Sequence, residues 1–225
     1  MSHRQIAIIC EGQTEQAFTE QILGPYLAQR CYGRNIILDV CPTIVHTGVL
    51  ASGAIAKGGG DWPKWKDRIQ KILGGSHWTV VTMMMDYYGC PKNIPGLTGK
   101  HSATEVEQLI RAEFSDHRLL PNVIQYEFET LIWAALRKHP KGQGFDCFIQ
   151  EAENLAQRYE PEEINSNPET APSKRLAAVT GHGVKPYRKI VDSQRILGEV
   201  DFNDVVELCP RFKSWTDRLV EECCA

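Results

Sequence analysis

Gln5-Ile6-Ala7-Ile8-Ile9-Cys10-Glu11-Gly12-Gln13-Thr14-Glu15 is the stretch that decides the fold. An apolar run without alternation stops at an acid and a glycine, and a helix-like segment follows. A strand apolar on both faces is buried in a parallel sheet. The turn after it lies at the sheet's C-terminal edge, where open α/β sheets bind their ligands. Gly12 gives that turn its backbone freedom. Thr14 is expected to cap the next helix. Glu15 is expected in its first turn, where the helix dipole favours negative charge. Two carboxylates, Glu11 and Glu15, thus frame one turn.

The helical pattern continues to Arg30, with Phe18, Ile22 and Leu23 on one face. Gly24-Pro25 interrupts it and predicts a kink or a second short helix. Asn35 to Val45 reads as a second strand, and Pro42 argues against a central position for its second half. The glycines from Gly48 to Gly60 read as a flexible surface loop. Neither this stretch nor Gly96-Leu97-Thr98-Gly99-Lys100-His101 fits the phosphate-loop pattern. Trp62 to Leu73 reads as a helix with Pro63 in its first turn.

Trp78 to Met85 repeats the opening logic: an apolar strand ending at Asp86-Tyr87-Tyr88-Gly89. A helix over Ala103–Phe114 follows a polar loop, with Ser102 and Glu105 spaced as a capping box. Val123 to Glu129 reads as a fourth strand running into a helix over Thr130–Leu136. Helices dominate from there, at about 146–158, 173–179, 187–197, 203–207 and 212–223, with a short turn at Pro161-Glu162-Glu163-Ile164. The expected fold is α/β and Rossmann-like, with a mostly parallel four-stranded sheet flanked by helices. Residues 1–140 form its core, and residues 141–225 form a helical appendage packed on it.

The chain of 225 residues is long enough to bury a core without staples. Hydrophobic content of 42%, charged content of 24% and net charge −3 give an ordinary globular composition with no overall basic signature. No run approaches the ~18 apolar residues of a membrane helix. With no signal-peptide pattern, a cytoplasmic protein is expected. Eight cysteines contain no C-x-x-C pair. They read as reduced, mostly structural thiols and frame neither a zinc site nor a disulfide set.

Glu11, Glu15, Asp86 and Glu129 are the acids expected at the strand ends. Parallel neighbours lie ~4.8 Å apart, so acids on adjacent strands can share a cation. Magnesium needs only one or two carboxylates beside water and substrate phosphate, and it polarises a phosphodiester. The same acids read equally as caps and turn residues, Glu15 as a dipole partner, and Tyr87 and Tyr88 as packing. Lys174, Arg175, Lys185, Arg188 and Lys189 cluster around Tyr187. With Ser173 as a cap, Lys174 and Arg175 would form a phosphate site at a helix start, with Arg188 and Lys189 beside it. Otherwise they are a solvated face. His46, His101 and His182 sit near loops as candidate proton carriers. Trp62, Trp65, Trp78, Trp133 and Trp215 read as core or lid packing.

Glu11-Gly12-Gln13-Thr14-Glu15 resembles the opening of Toprim-type domains in the overcoming-lysogenization-defect nucleases. The chain as a whole resembles a bacterial family, domain of unknown function family 4276, regarded as Toprim-like. The resemblance rests on Asp86-Tyr87-Tyr88-Gly89, Tyr126-Glu127-Phe128-Glu129-Thr130-Leu131 and Pro161-Glu162-Glu163-Ile164-Asn165. It rests also on Glu169-Thr170-Ala171-Pro172-Ser173-Lys174-Arg175-Leu176, on Tyr187 and Lys189, and on Cys209-Pro210-Arg211-Phe212 with Trp215.

The resemblance implies a magnesium or manganese site with Glu11 as the glutamate after the first strand and Asp86 as the first acid of a D-x-D pair. The second aspartate falls on Tyr88. A phenol of pKa ~10 is a poor magnesium ligand, so Glu15 or Glu129 would have to compensate.

The function this implies is a magnesium-dependent, Toprim-like nuclease or phosphodiester-processing protein. It would act on nucleic acid in genome maintenance or phage defence, beside an ATPase partner by analogy, and away from membranes. Glu11, Asp86 and Glu129 would be catalytic. The alternative is a non-catalytic subunit that binds nucleic acid, nucleotide or a partner through a degenerate site. A third, structural alternative is an assembly protein using an apolar patch on residues 190–220.

Overall fold

The computed structural model describes residues 1–49, 55–57, 61–164, 168–181 and 185–225, with side chains 46–49, 55–57 and 168 set aside. It divides into two compact units, Met1–Ile124 with Trp215–Ala225, and Gln125–Ser214.

The first unit runs β1 (Ser2–Cys10), α1 (Gln13–Phe18), a π-helical turn (Thr19–Leu23) and α2 (Gly24–Tyr32). Then come β2 (Ile36–Ile44), β3 (His46–Val49), β4 (Ile55–Lys57), α3 (Trp62–Leu73) and β5 (Val80–Asp86). It continues with α4 (Ala103–Ala112), β6 (Leu119–Leu120) and β7 (Val123–Ile124). The main sheet has the order β2-β1-β5-β6, with β7 also on β5, and every pairing is parallel. The sheet has five strands where the sequence pointed to four. The added strand is β6, two residues long and too short to leave a periodic signal, while β7 is the start of the strand expected from Val123; β5 holds both by pairing.

β1 is central and its second half is buried on both faces, as its unbroken apolar run requires. β2 is an edge strand, which accommodates Pro42 opposite Ile8. On one face, Ala7, Ile9, Val81, Met83 and Met85 pack against Trp62, Trp65 and Ile69 of α3 and Val106 and Ile110 of α4. The Ser102–Glu105 capping box forms as its spacing predicts. Part of the expected glycine loop is an antiparallel ribbon of β3 and β4 containing Gly48. Gly53, Gly58, Gly59 and Gly60 lie outside the described residues.

Gly24-Pro25 acts as expected, because a second helix begins there. Pro25 has no N–H to continue the α ladder. The Gly24 N–H instead reaches back to the carbonyl of Thr19, and a β-carbon on Gly24 would lie 2.8 Å from that oxygen. The cap of α1 is Gly12, with no side-chain bond. Thr14 sits inside the first turn, a correction to its expected capping role.

The second unit comprises α5 (Glu129–Leu136), α6 (Asp146–Ala156), α7 (Pro172–Ala178), α8 (Lys189–Gly198), α9 (Phe202–Glu207) and the start of α10 (Pro210–Cys224). α10 from Trp215 onward belongs to the first unit. There the Trp215 indole N–H donates to Thr82 Oγ1 at 2.9 Å, and Asp217 pairs with Arg30 of α2 at 2.7 Å. The expected strand over Val123–Glu129 stops at Ile124. Tyr126 is left-handed, with φ 66°, which no strand tolerates. Glu129 therefore opens a helix rather than closing a strand.

Candidate functional site

Cys10, the last residue of β1, pairs with Met84 of β5. Glu11 follows directly, and Asp86 ends β5 two residues on, so both acids emerge at the C-terminal end of adjacent central strands. The Asp86 backbone N–H donates to Glu11 Oε2 at 3.2 Å. A β-carbon on Gly89 would lie 2.8 Å from Glu11 Oε1 and 2.9 Å from Oε2. The turn after β5 is thus glycine where the Glu11 carboxylate lies against it. Asp86 is itself buried.

Glu15 is buried in the first turn of α1, its Oε2 3.1 Å from where a Gly12 β-carbon would stand. Thr19 ties this segment down, donating to the Glu15 carbonyl at 2.8 Å and meeting Cys10 and Met84 through sulfur contacts. Burial, opposed in part by Thr19, pushes the Cys10 thiol up to about 12, so it is an inert hydrophobe. The Cys90 thiol also rises to about 12, from burial and then from the negative charge of Glu11.

Tyr87 and Tyr88 pack with ring centroids 5.6 Å apart, and Tyr87 lies 5.6 Å from the His101 ring. The Tyr87 hydroxyl donates to the His101 carbonyl, and its backbone N–H donates to Ile124 O at 3.1 Å. These aromatics brace the loop that carries Gly89. His101 Nδ1 lies 3.0 Å from the Gly99 carbonyl, a local loop contact. His182 lies outside the described residues, as does the side chain of His46. Among the described residues, no three or more histidine, cysteine, aspartate or glutamate side chains form a group that could hold a metal ion. The geometry at the strand ends is that of two acids, Glu11 and Asp86.

In the second unit, Glu129 is 1% exposed, and its Oε1 lies 3.1 Å from the Lys189 ammonium. Burial raises its pKa, Lys189 opposes that, and Glu127 adds to it. Glu127 Oε2 accepts the Ser173 N–H at 2.8 Å. Ser173 is not a cap. α7 is capped from Ala171 without a side-chain bond, because Pro172 starts the helix one residue earlier than expected. Arg188 is tied to Asp192, with Nη2 to Oδ1 at 2.7 Å. Arg175 donates through Nε to the Thr170 carbonyl at 3.0 Å, and Lys174 is exposed. Arg175 also lines a polar cavity of about 410 Å³ with Gln150, Glu151, Asn154 and Thr180.

A family model described as Domain of unknown function (DUF4276) matches residues 10–220. The chain belongs to this family. No curated protein and no solved structure matches it.

In this DUF4276 chain the match spans every candidate residue from Glu11 to Lys189. Two of the motifs that carried the resemblance meet in the second unit. Glu162 accepts the N–H of Arg211 at 2.9 Å and of Phe212 at 3.0 Å, capping α10 from the Pro161–Glu163 turn. The sequence had offered no role for Glu162, because a cap separated this far along the chain leaves no local spacing. Lys189 was expected to hold phosphate, and the fold gives it a carboxylate. Within 190–220, Ile190 and Val191 are the large hydrophobics exposed among the described residues. No helix among the described residues is long and apolar enough to cross a membrane.

Proposed function

We propose that this protein processes phosphodiesters as a Toprim-like nuclease, with magnesium or manganese held between Glu11 and Asp86. The observation that carries this is the Glu11 carboxylate, fixed by the Asp86 N–H and lying against Gly89 at the C-terminal ends of β1 and β5. Two carboxylates suit magnesium, which retains waters and takes the rest of its oxygens from substrate. When bound, the cation would polarise the phosphodiester and neutralise developing charge.

The chain's own residues do the rest. The Asp86 N–H orients Glu11. Glu15, buried on the same turn, adds negative potential. Tyr87 and Tyr88 wall the turn and keep Gly89 in place. Within the second unit, Arg175 and the exposed Lys174 would bind phosphate on that unit's own surface, since Arg188 and Lys189 face Asp192 and Glu129. Genome maintenance or phage defence, beside an ATPase, is the setting the Toprim resemblance supports.

Tyr88 favours a second reading, a subunit that binds nucleic acid or nucleotide without cutting. The polar cavity beside Arg175 suits that role too. Labelled DNA and RNA, incubated with the full chain and magnesium or manganese, separate the two. Cleavage that disappears in Glu11→Gln and Asp86→Asn supports the enzyme. Retention of the nucleic acid without cleavage, under both metals, supports the binding subunit.

A further inference from the structure

A cleft of about 500 Å³ opens in the first unit beside β6, the edge strand of the main sheet. That volume falls within the range of small-molecule sites. Its buried lining is apolar, from Val80, Leu119, Leu120 and Pro121. Its polar lining comes from α4, through Glu107, Gln108 and Arg111, and from α10, through Arg218 and Glu222. The cleft is remote from the Glu11–Asp86 turn. Val80 opens β5 and Asp86 closes it, and at ~3.3 Å per residue the two ends stand ~20 Å apart.

The polar groups differ in what already holds them. Arg118, also in the lining, is committed to Asp116 and to the carbonyls of Leu73 and Gly75. Glu107 accepts the Val123 N–H at 2.7 Å. Arg111 donates through Nη1 to the Phe114 carbonyl at 2.8 Å, and a guanidinium has further N–H donors to offer. Among the described residues, the side chains of Gln108, Arg218 and Glu222 have no hydrogen-bond or ion-pair partner. Arg218 and Glu222 stand at a helical spacing where opposite charges join, and here they do not.

Two guanidinium groups, one carboxylate and one amide are thus left to face a ligand over an apolar wall. A guanidinium fork matches phosphate oxygens two at a time. A carboxylate beside apolar side chains suits a nucleobase, whose ring packs on the wall while its amino group donates. We propose that this cleft binds a nucleoside monophosphate whose base carries an amino group. Arg111 and Arg218 hold the phosphate, Leu119, Leu120 and Pro121 face the base, and Glu222 accepts from the amino group. No cation at Glu11 or Asp86 takes part, so the cleft stands or falls apart from the nuclease site.

The test titrates the full chain with AMP, GMP and CMP by calorimetry in EDTA, so that no cation draws phosphate to Glu11 and Asp86. The expected result is saturable binding of at least one of them at one site per chain. Its nucleoside and inorganic phosphate should each bind at least tenfold more weakly, since each lacks half of the contacts. Arg218→Gln and Arg111→Gln should each weaken binding about tenfold or more, with folding checked by circular dichroism. No binding of any of the three at millimolar concentration, inorganic phosphate binding as well as the nucleotide, or unchanged affinity in Arg218→Gln would overturn the proposal. If Arg111→Gln does not fold, Arg218→Gln decides alone, because Arg218 is exposed and its side chain holds no other residue.

Discussion

The carboxylate of Glu11 lies against the α-carbon of Gly89, so that a β-carbon there would fall 2.8 Å from Oε1. Both residues belong to strand-end turns that the sequence marked by the same pattern, an acid and then a glycine. Their contact gives that shared pattern a physical reason: the second turn is glycine so that the acid of the first can lie against it.

Gly89→Ala tests this contact. The crowded atoms are the far end of a flexible side chain, so the fold should lose less than about 1 kcal/mol. Glu11 must swing away, and magnesium affinity should fall about tenfold or more. Calorimetric titration beside a thermal melt checks both halves. Unchanged affinity would remove Glu11 from the cation site.

Arg118 closes the end of α3. Its guanidinium donates to the Leu73 carbonyl at 2.6 Å and the Gly75 carbonyl at 2.7 Å, and to both oxygens of Asp116. Helix-end carbonyls have no partners within the helix, and charge-assisted bonds are the strong ones. Arg118→Ala should cost about 1–3 kcal/mol in urea unfolding. The pairing with Arg118 depresses the Asp116 pKa to about 2. Because the folded value is the lower one, this stability is present above the ordinary aspartate value of ~3.9 and is lost as pH falls toward about 2. An Arg118→Ala chain should lose that acid-side slope.

Glu129 titrates with the opposite sign. Its folded pKa is raised, so the cost of its ionised form is present above the folded value. That cost disappears as pH falls toward the ordinary glutamate value of ~4.3. Glu129→Gln should flatten the stability profile across this range in urea titrations. Lys189→Met removes the opposing charge and should destabilise at neutral pH by about 1–3 kcal/mol. The loss stays below that of a fully buried pair because Lys189 is half-exposed. No difference between Lys189→Met and wild type would mean the pair contributes nothing.

Glu162 should matter through α10. Glu162→Ala frees the N–H groups of Arg211 and Phe212 and should cost about 1–2 kcal/mol, while Glu162→Gln keeps an acceptor and should cost less. Urea unfolding of the two variants side by side reads the difference. Equal losses would show that packing of the side chain, and not the cap, is what matters.

The unbroken apolar runs ending at Glu11 and Asp86 made the central strands legible, because burial on both faces leaves no alternation to misread. Local spacing likewise made Ser102 with Glu105, Trp62–Leu73 and the break at Gly24-Pro25 legible. What lay hidden was held by distant partners. Leu119–Leu120 is a strand only because β5 pairs with it. Tyr126 adopts a left-handed conformation that a tyrosine does not announce, which turned an expected strand into the start of α5. Lys189 read as a phosphate ligand because a sequence shows charge and not the carboxylate that meets it. At the site, Glu11 and Asp86 were legible by pattern. The role of Gly89 was not, since it depends on the approach of a side chain from the neighbouring strand.

The most direct measurement is magnesium and manganese binding to the full chain by calorimetry, for wild type, Glu11→Gln and Asp86→Asn, with folding checked by circular dichroism. Saturable binding in the wild type, lost in both folded variants, is the predicted result. Wild-type binding that survives either substitution, or a folded wild type that binds neither metal, would contradict the cation site at Glu11 and Asp86.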